Sequence, residues 1–220
     1  MRAERSEAGV TVRAVEGGYP KGRIRREDIL TAAIAVYTEA GYHGSSLREV
    51  AKRAGITHAG LLYYFPTKEA LLAAVLERRD REDAVREQLN APPGREVLRH
   101  WLALAKHNVT HPGIVELYSR LAAEAVAPDH PAHDYFVRHY RIARRSALKT
   151  FRVLAERGEL RPGVDPNVAA LTYMSLSDGL QVQWLTKPDE VDLVGALRHY
   201  VDSILVEPLF GSGAKEPPPD

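Results

Sequence analysis

The sequence predicts an all-α protein: a small N-terminal three-helix unit built round a helix-turn-helix, followed by a larger helical body. Three observations carry that expectation. Apolar residues recur at three- and four-residue spacing along most of the 220 residues. Gly and Pro cluster between those periodic segments, where helices end. The stretch SSLREVAKRAGITHAGLLYYF, from Ser45 to Phe65, carries the start, turn and stop signals of two short helices in immediate succession.

With 45% hydrophobic residues the chain can bury the cores of one or two domains. The absence of cysteine excludes disulfides, zinc ribbons and thiol catalysis, and suits a reducing cytoplasm, the expected location. No run of eighteen apolar residues occurs, so no membrane partner is expected. Net charge is only +1, but it is unevenly divided. Residues 1–68 hold eleven Lys and Arg against seven Asp and Glu, whereas the remainder holds nineteen against twenty-two.

Taken in order, residues 1–20 mix charge with Gly and Ala without periodicity and read as a disordered arm. Lys21, Arg23, Arg25 and Arg26 follow in quick succession. They read either as a flexible basic arm for phosphates or a minor groove, or as a solvated charge run. From Arg26 to Ala40 the residues Ile29, Ala33, Val36, Tyr37 and Ala40 keep helical spacing, and Gly41 closes that helix. Ser46 opens the next, with Glu49 completing a capping box and Leu47, Val50, Ala51 and Ala54 forming one apolar stripe. Gly55 makes the turn, Thr57 caps His58 to Tyr64, Leu61 and Phe65 face inward, and Pro66 stops the helix.

A helix braced in this way can enter the major groove of DNA. The face it would present carries Thr57, His58, Ala59, Gly60, Tyr63 and Tyr64: small residues for close approach, hydroxyls and an imidazole for bases or phosphates. Ser45 and Ser46 add hydroxyls, and the basic head supplies Arg25 and Arg26 for phosphate neutralisation. Lys68 sits in a first helical turn, where a cation is disfavoured, and reads as facing a DNA phosphate or as an ordinary exposed lysine. A plain helical hairpin is the alternative to the whole reading.

These residues resemble the DNA-binding domain of the TetR family of bacterial transcriptional repressors. The likeness rests on Ala33 and Gly41, on the block from Leu47 through Val50, Ala51, Ala54, Gly55, Ile56 and Thr57, and on Phe65, Lys68, Glu69, Leu71 and Leu72. It departs at Leu62, where members often carry a phosphate-contacting Tyr, leaving Tyr63 or Tyr64 to substitute, and at His58, where many carry Lys or Arg. The resemblance implies a homodimer, helical throughout, with a reading head over residues 21–68 and an effector-binding and dimerisation domain over residues 69–210. Residues 211–220, with three consecutive prolines, read as a disordered tail.

The body reads as six helices: Glu69 to about Leu89, Arg95 to about Thr110, Ile114 to Ala127, about Ala132 to Arg157, a fifth opened by Asp165 and Pro166 and apolar over Val168 to Leu185, and a last from Asp189 or Glu190 continuing to Pro208. The fifth is apolar nearly all round, so more than one face must be covered. Pairing of the last two helices with their copies would bury the surplus. Tyr173, Leu176, Leu180 and Trp184 would supply one side of that seam, with Leu197, Tyr200, Val201 and Ile204 on the other. In the resembled family these two helices usually form the dimer interface.

No Gly-rich phosphate loop, nucleophile elbow or His-Glu-x-x-His appears, so no enzyme is expected. His107 and His111 form a pair without an evident third ligand, and both they and His130 with His133 and Asp134 sit beside prolines at helix ends, where solvated His is common, so neither metal nor cofactor is expected. An effector cavity is the better expectation. Its candidate lining is Trp101, Leu104, His107, Tyr118 and Leu121, together with Phe136, Tyr140, Tyr173, Gln181 and Trp184, some of them plain core. That composition suits a small apolar or aromatic effector. The expected function is a homodimeric repressor that binds a pseudo-palindromic double-stranded operator and is released by effector. Activation, or a helical small-molecule-binding protein with a structural hairpin, are the alternatives.

Overall fold

Caps and breakers set the helix ends. The structure, a computed structural model, describes residues 20–86 and 91–210, and within them nine helices follow one another. The arm, apart from Pro20, and the tail expected over 211–220 lie outside the described residues. Helix α1 runs Pro20–Gly44 and leaves helical geometry at Gly41, whose φ of 70° suits a residue without Cβ. It starts earlier than the apolar periodicity indicates, so the basic run from Lys21 to Arg26 lies on a helix rather than a flexible arm. Pro20 explains the early start, since its ring presets helical φ and its missing N–H needs no partner in a first turn.

Helix α2 (Leu47–Arg53) opens on Ser46 with both halves of the capping box formed. Gly55, with φ of 64°, turns the chain into α3 (His58–Tyr64), where the Thr57 hydroxyl accepts from the Gly60 amide at 3.1 Å. Helix α4 (Lys68–Arg86) leads to the body helices α5 (Arg95–Val109), α6 (Pro112–Glu124), α7 (His133–Glu156), α8 (Pro166–Thr186) and α9 (Leu193–Ile204). The start expected for the last helix at Asp189 or Glu190 is corrected to Leu193. There the Asp192 carboxylate accepts from the Gly195 amide at 2.8 Å and is the true cap.

Two cores divide the molecule. One joins Ile29, Leu30 and Tyr37 of α1, Val50 of α2, Leu61 of α3 and Leu71 and Leu72 of α4 to Leu117, Tyr118 and Leu121 of α6 and Phe136 of α7. The other gathers Leu98, Phe151, Leu154, Leu197 and Val201 from α5, α7 and α9, with Ala170 and Tyr173 of α8. Each fully buried Leu or Phe contributes roughly 1.5–3 kcal/mol. Helix α7, at 24 residues, is long enough to reach both cores. An isolated antiparallel bridge pairs Leu160 with Leu205, and the Arg161 amide donates to the Ile204 carbonyl at 2.9 Å, closing the second core. Among the described residues no helix is long and apolar enough to cross a membrane.

Candidate functional site

The outward face of α3 is exposed because its inward face is anchored. Leu61 is fully buried and Phe65 nearly so. That fixes the helix with Thr57, Ala59 and Tyr63 pointing outward and His58, Gly60 and Tyr64 at the rim. Tyr63 is 82% exposed, the most open large hydrophobic side chain among the described residues, and touches Tyr64 edge-on at 5.3 Å between ring centroids. Arg25, Lys52, Gly55, Ile56, Thr57, Gly60 and Tyr64 line a shallow open depression beside it. Lys52 is a contributor that sequence reasoning missed, although a cation in the last turn of α2 beside the Gly55 turn marks it.

Other predicted contacts already have partners within the chain. Buried Ser45 donates its hydroxyl to the Tyr42 carbonyl at 2.7 Å. The Ser46 hydroxyl accepts from the Glu49 amide and donates to the Glu49 carboxylate at 2.9 Å. Arg26 lies 5.1 Å from the Phe65 ring centroid and 3.9 Å from Glu27. Lys68 is turned inward: Nζ donates to the Ser45 carbonyl at 2.7 Å and lies 4.4 Å from the Tyr42 ring centroid. Burial lowers its pKa, opposed by Glu69 and Glu49. The cation at this helix start therefore faces two carbonyls at the α1–α2 corner, those of Ser45 and His43, and no external anion is needed to explain it.

Head and body are joined at the start of α6. Thr38 Oγ1 of α1 donates to the Gly113 carbonyl at 3.2 Å, and Arg79 of α4 donates to the Ile114 carbonyl at 2.9 Å while covering the Tyr118 ring at 4.4 Å. A Cβ on Gly113 would meet Thr38 Cγ2 at 3.1 Å, so the two elements touch closely there. Tyr135 donates to Asp80 of α4 at 2.7 Å.

The ten residues expected to line one effector cavity are not brought together. Tyr118, Leu121, Phe136 and Tyr140 pack in or on the first core, Trp101, Tyr173 and Trp184 in or on the second. Trp101 stacks on Tyr173 at 5.0 Å, and Tyr118 meets Phe136 edge-on at 5.0 Å. Leu104, His107 and Gln181 are half-buried, with His107 against His111 at 4.1 Å between ring centroids. Helical spacing marks these aromatics as inward-facing, but both cores are inward. Of the ten, Trp184 borders a depression with Val109, Pro188 and Leu193 at the α8–α9 connection.

The seam residues divide similarly. Tyr173, Trp184, Leu197 and Val201 are buried within their own chain, while Leu176, Leu180, Tyr200 and Ile204 are half-buried, Tyr200 donating to the Ala169 carbonyl at 3.0 Å. What α8 leaves open is a different stripe: Val168, Leu171 and Val182 are 63%, 58% and 55% exposed, with exposed Ser175 and Gly179 between them.

Comparison with known proteins adds to this geometry. A family model described as "Bacterial regulatory proteins, tetR family" matches residues 29–75, and one described as "BetI-type transcriptional repressor, C-terminal" matches residues 123–206. The HTH-type transcriptional regulator RutR of Escherichia coli (strain K12) is 44% identical over 54 residues, which are 24% of this chain and 26% of RutR. The match thus spans about a quarter of that relative's length. The A-factor receptor protein of Streptomyces griseus is 25% identical over 182 residues, 80% of this chain and 62% of the receptor. SmeT, the repressor of the Stenotrophomonas maltophilia multidrug efflux pump SmeDEF, superposes in its triclosan complex with a TM-score of 0.72 at 23% identity, covering 90% of this chain and 100% of SmeT. A regulator from Saccharomonospora viridis solved with choline superposes at 0.69 with 21% identity, over 83% and 98% of the two chains. Those two likenesses concern the fold.

Proposed function

From the premise that the chain belongs to the TetR family of bacterial transcriptional regulators, we propose that it is a homodimeric repressor of transcription. Two copies of α3 lie about one helical turn of DNA apart, some 34–36 Å, and read a pseudo-palindromic operator. The observation that carries this reading is the outward face of α3: Tyr63, Ala59 and Thr57 stand open, and Arg25 and Lys52 flank them with cations for phosphates. Tyr63 takes the phosphate or base-edge role, since Ser45, Ser46 and Lys68 hold the head together instead.

Control comes from the body, and the role is regulatory rather than enzymatic. Relatives described with triclosan, choline or A-factor support a small organic effector. The aromatic supply of α5 to α8 suits one with apolar or planar surface. Such an effector acts only through its differential affinity for two arrangements of the heads. The joint through which it acts is the start of α6, where Gly113 and Ile114 meet Thr38 and Arg79.

The test is capture of sheared DNA from the source organism on the purified protein at moderate salt, followed by sequencing. One or a few inverted repeats enriched together is the expected result, and the genes beside them nominate the effector class. Uniform capture that vanishes with modest added salt would overturn the reading, because it marks phosphate attraction alone.

A further inference from the structure

At the junction of head and body, three side chains from distant parts of the chain converge. His43 comes from the end of α1, Glu124 is the last residue of α6, and His130 lies in the connection to α7. Glu124 Oε2 is 3.7 Å from His43 Nε2 and 3.4 Å from His130 Nε2, and all three donor atoms lie within 4.8 Å of one another. Glu124 Oε2 and His130 Nε2 are buried and have no hydrogen-bond partner, and the His130 side chain is only 4% exposed. Buried polar atoms without partners are rare in folded proteins and call for an ion or a water. Glu124 also ends a 13-residue helix, whose terminal carbonyls favour a cation.

We propose that His43, Glu124 and His130 form a binding site for a divalent transition-metal ion, zinc being the best fitted, that clasps the α1–α2 corner of the head to the α6–α7 corner of the body. Two imidazoles and a carboxylate are the donor set of a borderline ion. Metal–ligand bonds of about 2.0–2.2 Å in a tetrahedron place donor atoms roughly 3.3 Å apart, so the present 3.4 and 3.7 Å need to contract by only a few tenths of an ångström. Three protein ligands leave one tetrahedral position for water. His43 is exposed and gives the ion its way in. His133 is not part of the set, since its Nδ1 already lies 2.8 Å from the Ala125 carbonyl.

Loading has a defined proton balance. The Ala132 amide donates to His130 Nδ1 at 3.2 Å, which leaves the ring proton on Nε2 in the metal-free protein. Binding at Nε2 changes the tautomer: the proton leaves Nε2 and one is taken up at Nδ1 by exchange with solvent, so the ring stays neutral, the ion takes the Nε2 lone pair, and the Ala132 bond is given up. A protonated histidine competes with the metal, so affinity falls as pH is lowered. Because the His43 carbonyl and the Ser45 carbonyl are both held by Lys68, an ion on His43 fixes the approach to α2. Metal binding itself is independent of the DNA-binding reading, whereas its effect on operator affinity rests on that reading.

The experiment uses the purified full chain after chelator treatment, titrated with Co2+ for its ligand-field absorption and with Zn2+ by calorimetry. One ion per chain is expected, with His43→Gln and Glu124→Gln each weakening it roughly tenfold or more. His43→Gln keeps the metal-free thermal midpoint of the wild type, since that side chain is exposed. Absence of stoichiometric binding would overturn the proposal. So would retention in both variants, as when the ion is lost only in His107→Gln. Once an operator is in hand, Zn2+ should change operator affinity in the wild type and not in His43→Gln; an equal change in both overturns the clasp. If no operator is captured, the DNA-reading assignment fails, while the metal site still stands or falls on the titration alone.

Discussion

Single side chains divide into those that hold the head together and those left for a partner. Tyr63 belongs to the second group, being 82% exposed with one edge contact to Tyr64. Tyr63→Ala should therefore weaken capture of the enriched operator at least about tenfold, the scale of one lost interface anchor, with an unchanged thermal midpoint. Lys68 belongs to the first group. Lys68→Ala removes a charged donor from the Ser45 carbonyl and should lower stability by about 1.5–3 kcal/mol in urea unfolding; undiminished stability with lost operator binding would restore the phosphate contact expected from sequence. The difference between the two was only half legible. The Ser46 and Thr57 caps lie within three residues of their partners and read directly from the sequence. The carbonyl that Lys68 reaches is 23 residues away, and no local pattern reports it.

Helices were legible as elements because their signals are local, but several ends moved: Asp192 outranks the periodicity for α9, Pro20 starts α1 early, and α6 runs Pro112–Glu124 rather than Ile114 to Ala127. What each helix packs against was not legible. Apolar spacing marks a face as inward without naming which of two cores it enters, so the aromatics expected in one cavity divide between both. The same division hid the metal-binding triad: His130 reads as one of a sequence-local group, while its partners Glu124 and His43 arrive from other elements. At the start of α4, the Glu69 carboxyl is held below its ordinary 4.5 by its own backbone amide, then by the Thr67 and Tyr42 hydroxyls, against burial. The sign follows: a depressed carboxylate contributes stability at pH above about 4.5, and that contribution is lost as pH falls through its folded value. Chemical denaturation of Glu69→Gln across pH 3 to 7 should thus show a shallower acid loss than the wild type; parallel curves would refute the assignment.

Assembly is decided by what one copy of the chain leaves uncovered. Val168, Leu171, Ser175, Gly179 and Val182 recur along α8 at steps of three and four, forming one exposed stripe. Residues first expected at the seam, Tyr173, Trp184, Leu197 and Val201, face the chain's own core. The apolar excess of α8 was readable from sequence, but which part of it faces outward depends on where α7 and α9 pack. In a two-fold interface the same stripe meets itself, so one substitution acts in both copies. Leu171→Arg places a charge from each copy in the seam and should yield particles of 24.4 kDa by light scattering where the wild type gives twice that mass. Helical circular dichroism should not change, since Leu171 is 58% exposed in the isolated chain. Gly179→Ala sharpens the test, because beyond the local backbone of its own helix a Cβ there meets no described atom of its own chain within 4 Å. In a free protomer the change favours the helix by about 1 kcal/mol; across a close helix crossing it pushes the copies apart. Looser dimerisation together with a more stable isolated chain places the crossing at Gly179, whereas tighter dimerisation by Gly179→Ala, or a persistent Leu171→Arg dimer, moves the interface off this stripe.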